Sequence, residues 1–198
     1  MIAVIDYGAG NIFSIVNALE YIGCESVLTS DKAVIEQADK IILPGVGAFP
    51  DAMKKLERSG LVETIKVQAK QKPFLGICLG MQLLFEKGFE FEETDGLGLI
   101  PGEVRRLETN GLKVPHMGWN SVKIENPCAL TEGMKDGDMV YFVHSYAAVT
   151  EDKYIALSSD YGGRFPALVH EGTVYGAQFH PEKSGNVGLG ILKNFAAL

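Results

Sequence analysis

The sequence predicts an α/β fold built on an open, mostly parallel sheet covered by helices. Short apolar segments at residues 1–5, 24–29, 40–43 and 74–77 alternate with stretches of helical periodicity. Strands that are apolar on both faces belong to parallel sheets buried between helices. Beyond about Gly96 the pattern changes to closely spaced strand-like segments joined by hairpin-like turns, which predicts additional antiparallel strands in the C-terminal half.

Taken in order, Met1–Ile5 reads as a buried strand and Asp6–Asn11 as a Gly-rich loop. Ile12–Ile22 reads as a helix with Ile12, Ile15, Val16 and Leu19 on one face and Asn11 as its cap. Cys24–Thr29 predicts the second strand, Asp31–Gln37 a short helix and Lys40–Leu43 the third strand. A Gly/Pro loop at Pro44–Pro50 precedes helices over Asp51–Glu57 and Leu61–Gln71, the latter stopped by Pro73, and Phe74–Ile77 forms the fourth strand. Glu103–Leu107, Met139–Val149, Tyr154–Ser159, Ala167–His170 and Thr173–Phe179 read as later strands, and Ser184–Leu198 as a closing helix. No Pro/Ser-rich or charged linker divides the halves, so residues 1–198 read as one domain.

Composition narrows the function classes. An apolar fraction of 46% with 22% charged residues fits a globular protein and argues against extensive disorder. A net charge of −7 without a basic cluster disfavours nucleic acid and anionic membranes as partners. No apolar run approaches a membrane span, and MIAVIDYGAGN reaches Asp6 without the basic leader of a signal peptide. The cysteines Cys24, Cys78 and Cys128 are widely spaced and odd in number, which fits neither a disulfide framework nor a zinc cluster. They point to a reducing cytoplasm, where a thiol stays available for chemistry.

Three loops follow strands and are candidates for chemistry. GAGNIF at residues 8–13 has the start of a dinucleotide-binding fingerprint, with Asp31 near where a ribose-binding acid would be wanted. Phe13 stands where the third glycine belongs and would obstruct close packing of helix and strand, so an ordinary tight turn is the better reading. GICLG at residues 76–80 has the form of a nucleophile elbow with Cys78 at its centre. A nucleophile on a sharp strand-to-helix turn needs small flanking residues, which Gly76 and Gly80 supply. The following helix favours thiolate over thiol, and the Leu79 N–H would point at a developing oxyanion. Taken alone, Cys78 reads equally well as a small core residue.

A thiol nucleophile needs a base. Of His116, His144, His170 and His180, the last stands out, because it lies where a strand ends and Glu182 follows across Pro181. A carboxylate so placed can orient the imidazole and stabilise its cation, completing a Cys78, His180 and Glu182 set. Both loops would lie at the carboxyl edge of one sheet, where open α/β proteins bind ligands. LPGVGAF at residues 43–49 is a third such loop, whose Val46 and Gly47 are candidates for a second oxyanion donor. PHMGWN at residues 115–120 offers no chemical logic of its own, and its His116 reads as structural.

Together GICLGMQ and HPE resemble the nucleophile and the base-carboxylate motifs of the class I, or triad, glutamine amidotransferases. Within that family, DYGAGN, LPGVGAF, GICLGMQLLF, PHMGWN, YFVHSY and QFHPEKS, in this order, are similar to the glutaminase subunits of imidazole glycerol phosphate synthases. The resemblance implies a three-layer, flavodoxin-like fold and hydrolysis of L-glutamine to glutamate and ammonia through a Cys78 thioester, with neither cofactor nor metal. It also implies that Gln82, Glu90, His144, Ser145 and Tyr146 line the glutamine site, although GFEF around Glu90 departs from the family pattern. A (β/α)8 cyclase subunit is the implied partner, receiving ammonia in histidine biosynthesis, with Asn11, Trp119 and Lys183 near the interface. By the same resemblance many relatives carry a GGP-like sequence in the oxyanion loop, where this chain has GVG at 45–47. That difference leads to the expectation that the Val46 or Gly47 amide becomes well placed only when the partner is docked and loaded.

Overall fold

In the computed structural model, which describes residues 1–198, the expected alternation is present. It runs β1 (Ile2–Ile5), α1 (Ile12–Tyr21), β2 (Ser26–Thr29), α2 (Lys32–Gln37), β3 (Lys40–Leu43), α3 (Phe49–Arg58), α4 (Val62–Ala69) and β4 (Phe74–Ile77). After β4 come α5 (Leu79–Gln82), β5 (Lys87–Gly88), β6 (Thr94–Asp95), β7 (Glu103–Arg106), β8 (His116–Ser121) and β9 (Lys123–Ile124). The chain continues through β10 (Met139–His144), β11 (Tyr146–Val149), β12 (Ile155–Asp160), β13 (Arg164–Glu171), β14 (Val174–Ala177) and α6 (Gly185–Ala197).

The main sheet has eight strands in the order β2-β1-β3-β4-β14-β13-β12-β9. Pairings from β2 to β14 are parallel, and those of β13, β12 and β9 are antiparallel. Side chains alternate between its faces, as strand geometry requires. Val4, Ile42, Leu75 and Ile77 pack with Ile15 and Leu19 of α1 and Ile191, Leu192 and Phe195 of α6. Ile5, Ile41, Leu43 and Phe74 pack on the other face with Ile35 of α2, Met53 and Leu56 of α3 and Ile65 of α4. Helices on both faces give the three layers. A four-stranded sheet, β11-β7-β5-β6, and the two-stranded β10-β8 ribbon stand beside this frame.

Several local expectations change. Asp31 is the cap of α2, accepting the Ala33 N–H at 2.8 Å, whereas Asn11 caps no backbone group and instead accepts the Ser14 hydroxyl at 3.0 Å. Helix α3 begins at Phe49 rather than Asp51, with Pro50 in its first turn. The segment Met139–Val149, expected as one strand, divides at Ser145: β10 pairs with β8, and β11 pairs with β7 in the other small sheet. Strand β8 departs from any apolar-in pattern, because His116 is buried while Met117 and Trp119 are exposed. The apolar run after Cys78 is helical for one turn only. The carbonyls of Leu83, Leu84 and Phe85 accept the N–H groups of residues 97–100 instead of continuing the helix.

Close backbone approaches fix the turn after β4. A Cβ on Gly80 would lie 1.9 Å from the Leu43 carbonyl oxygen, and one on Gly76 would lie 2.5 Å from the Gly80 oxygen. Neither obstacle is a flexible side-chain end, so backbone must move. Gly80→Ala should therefore destabilise the fold by about 3 kcal/mol. Gly190→Ala, in the interior of α6 with open space around it, should stabilise it by roughly 0.5–1 kcal/mol through helix propensity. Urea denaturation of both variants checks the pair, and equal effects would contradict this packing.

Candidate active site

Cys78 sits at the junction of β4 and α5 with φ of +56° and ψ of −112°, a conformation that costs a non-glycine residue free energy and marks the sharp elbow foreseen from GICLG. Its N–H donates to the Ala177 carbonyl at 2.7 Å, which ties the turn to β14, and its Sγ lies 3.8 Å from the Val143 carbonyl of β10. The first N–H groups of a helix have no intrahelical acceptor, and Leu79 is the first residue of α5. With a single turn, α5 offers a far smaller dipole than the sequence suggested, so charge near the sulfur must come from elsewhere.

That charge comes from His180. Its N–H donates to the Tyr141 carbonyl at 2.9 Å, and its carbonyl accepts the Ser184 hydroxyl at 2.7 Å, so β10 and the start of α6 hold the residue. The ring's Nδ1 donates to Glu182 Oε1 at 2.8 Å, inside a turn at Pro181–Lys183, with both side chains buried. Nε2 has no hydrogen-bond partner of its own. Burial works against the cation, but the Cys78 sulfur and the Glu182 carboxylate outweigh it, and the imidazole pKa is raised to about 9.

Strands β3, β4 and β14 are neighbours in the sheet, so the loops carrying Val46 and Gly47, Cys78, and His180 emerge side by side from one edge. They surround a cavity of about 360 Å³ lined by Val46, Gly47, Cys78, Leu79, Gln82, Glu90, Pro115, Val143, His144, Ser145, Tyr146 and His180. The volume is in the range of small-molecule sites. All the catalytic, oxyanion and substrate candidates therefore come together there except Glu182, which stands behind the His180 ring. Gly47 has φ of +105°, which favours glycine in this loop. Glu90 both faces the cavity and accepts the Phe49 N–H at 2.8 Å, anchoring the start of α3. His144 is buried and its pKa is lowered to about 4 by that burial, so it is neutral where His180 is charged.

The interface candidates lie elsewhere. Trp119 is 54% exposed, beside Met117 at 62%, and packs edge-to-face on Tyr141 with centroids 6.1 Å apart. Its ring edge would lie 3.9 Å from a Cβ on Gly185, close to exposed Lys183. Helix α1, which starts just after half-buried Asn11, packs against the Pro181–Lys183 turn. Trp119 is therefore a surface residue and no part of the core.

Some site residues had no signal strong enough to single them out. Pro115 and Val143 line the cavity from within PHMGWN and YFVHSY, one position from residues that were named. Fully buried Gln178 accepts from Gln82 at 3.0 Å and leaves its own Nε2 without a partner. Tyr7 of DYGAGN donates to the Pro44 carbonyl at 3.0 Å, at the base of the Val46–Gly47 loop; burial, then negative charge at Cys78, raises its pKa.

The family model described as "Glutamine amidotransferase class-I" matches residues 3–197. A protein of Bacillus cereus (strain ATCC 14579) named "Imidazole glycerol phosphate synthase subunit HisH" is 55% identical over 98% of this chain and 93% of its own length. A Bacillus thuringiensis (strain Al Hakam) protein of the same name is 54% identical over the same shares. Among solved structures, PurLQS from Thermotoga maritima superposes with a TM-score of 0.76 at 23% identity, covering 98% of this chain and 96% of that one, which establishes likeness of fold. A full-length family match, a relative at this identity and a cavity that gathers the family's motifs agree: the chain belongs to the class I glutamine amidotransferases, and within them to the HisH subunits of imidazole glycerol phosphate synthase.

Proposed function

We propose that this chain hydrolyses L-glutamine to glutamate and ammonia at the Cys78 cavity, and that it passes the ammonia to a (β/α)8 cyclase subunit in histidine biosynthesis. The observation that carries the chemistry is the His180 ring, held by Glu182 at Nδ1 and free at Nε2 beside a thiol on a strained elbow. Cys78 attacks the side-chain amide carbon. The tetrahedral oxyanion is stabilised by the Leu79 N–H together with an N–H from the Val46–Gly47 loop, donors worth roughly a hundredfold or more in rate each. His180 delivers its proton to the departing nitrogen, ammonia leaves, and a thioester remains. Water then attacks as His180 removes its proton, and glutamate departs with the proton returned to sulfur. Gln82, Glu90, His144, Ser145 and Tyr146 supply the walls that hold glutamine.

A relative named as a synthase subunit supports a partner, and the exposed Trp119, Met117 and Lys183 support its docking across β8 and the start of α6. The free state of Cys24, Cys78 and Cys128 supports a cytoplasmic setting. The main sheet takes strands from both halves of the sequence, which supports a single domain.

Ammonia release from glutamine, assayed with the cyclase subunit present, should fall by at least about a thousandfold in Cys78→Ala; activity that survives the substitution would sink the mechanism. Equal rates with and without the loaded cyclase would refute partner-dependent placement of the Val46–Gly47 amide.

The His180 ring, followed by NMR, should titrate near 9, and Glu182→Gln and Cys78→Ala should each lower that midpoint. Because the folded value lies above the 6.5 of a free ring, the stability it contributes is complete below pH 6.5 and fades as the pH rises towards 9. A wild-type midpoint at or below 6.5 would contradict the assignment.

Trp119→Ala should weaken cyclase binding about tenfold or more by calorimetry without lowering the melting temperature of the isolated chain. Unchanged affinity would move the interface elsewhere.

A further inference from the structure

Asn120, His116, His144, Tyr146 and Gln82 form one connected chain of polar groups, in which the proposed chemistry gives no part to Asn120 or to buried His116. The Asn120 amide on β8 donates to the Asp160 carbonyl at 2.8 Å and stands 3.4 Å from His116 Nε2. His116 Nδ1 stands 2.9 Å from His144 Nε2, and His144 Nδ1 stands 2.8 Å from the Tyr146 carbonyl. That same carbonyl accepts Gln82 Nε2 at 3.0 Å.

The ends of the chain dictate the direction of every proton. A carbonyl only accepts, so His144 carries its proton on Nδ1. Burial lowers the pKa of both rings to about 4, so at neutral pH each holds one proton. His144 Nε2 is therefore bare and accepts from His116 Nδ1–H; His116 Nε2 is bare in turn and accepts from Asn120. Stacking on Tyr161 at 4.0 Å and on Phe142 at 4.9 Å holds the plane of the His116 ring. With its proton on Nε2 instead, His144 would set a bare Nδ1 against the Tyr146 oxygen, lone pair facing lone pair, and the carbonyl would be pushed from its place.

We propose that His116 is a positioning residue for glutamine binding: its Nδ1–H fixes the tautomer of His144, which tethers the Tyr146 carbonyl and, through it, Gln82 in the cavity wall. The inference rests on the glutaminase reading of that cavity. His144, Tyr146 and Gln82 line it and His116 does not, so His116 acts on the substrate through the ring it holds.

The test compares His116→Phe, which keeps the ring packing and loses the donor, with His116→Asn, whose side-chain N–H occupies the Nδ1 position. Ring nitrogen-15 shifts report the His144 tautomer, and KM and kcat for glutamine are measured with the cyclase subunit present. Wild-type His144 should be protonated on Nδ1. His116→Phe should mix the tautomers and raise KM about tenfold while kcat changes less than about threefold, and His116→Asn should restore most of the KM. A wild-type His144 protonated on Nε2, or an unchanged KM in His116→Phe, would overturn this inference alone. Wild-type protein that releases no ammonia would overturn the glutaminase reading as well. Should His116→Phe not fold, His116→Gln, whose amide reaches the Nε2 position, takes its place with the same expectations.

Discussion

The place where a β-carbon of Gly80 would sit is taken by the carbonyl of Leu43. This contact between the elbow after β4 and the end of β3 sets the distance between the thiol and the Val46–Gly47 loop. It is reinforced at Gly45, where a Cβ would come within 2.7 Å of the Gly80 nitrogen. Such approaches between backbones cannot be tuned by rotamers, so Gly45 at the base of the loop and the Cys78 elbow behave as one unit. The third neighbour, β14, joins through the Cys78 N–H to Ala177 bond and delivers His180 to the same edge. The site is thus a property of three adjacent parallel strands and the turns that leave them.

Two histidines of one cavity are held in opposite charge states by their surroundings. His180 faces a sulfur and a buried carboxylate, so its cation is favoured in spite of burial. His144 faces a carbonyl and a neutral ring, so burial governs and the cation is suppressed. Under the proposed reaction the contrast gives them separate duties: at pH 7 His180 holds a proton that it can deliver, while His144 serves as a fixed donor and acceptor. The difference turns on the Cys78 sulfur and on Glu182, the carboxylate that holds the ring beside it.

Legibility followed periodicity. Parallel strands such as Lys40–Leu43 could be read because they are apolar on both faces and stop at Gly or Pro, here Pro44. Strand β8 could not, since it buries His116 and exposes Met117 and Trp119, the reverse of what an apolar-in pattern detects. The change of sheets at Ser145 leaves no trace because no Gly or Pro interrupts YFVHSYAAV. Strands β5, β6 and β9 are two residues each, too short for any period. Within the site, Cys78, His180 and Glu182 stood out because the required chemistry restricts residue type at fixed local spacing. The His116–His144 contact joins positions 28 apart on paired strands, and nothing local encodes such a pairing.

Trp119 is the sole tryptophan, and it stands half in solvent on β8. An indole in contact with water emits at longer wavelength than a buried one. The tryptophan fluorescence of this protein therefore reports on a single patch of its surface, outside the lining of the Cys78 cavity. Any macromolecule that covers β8 will shift the emission to the blue without a label, whereas a small molecule entering the cavity alone will leave it where it was.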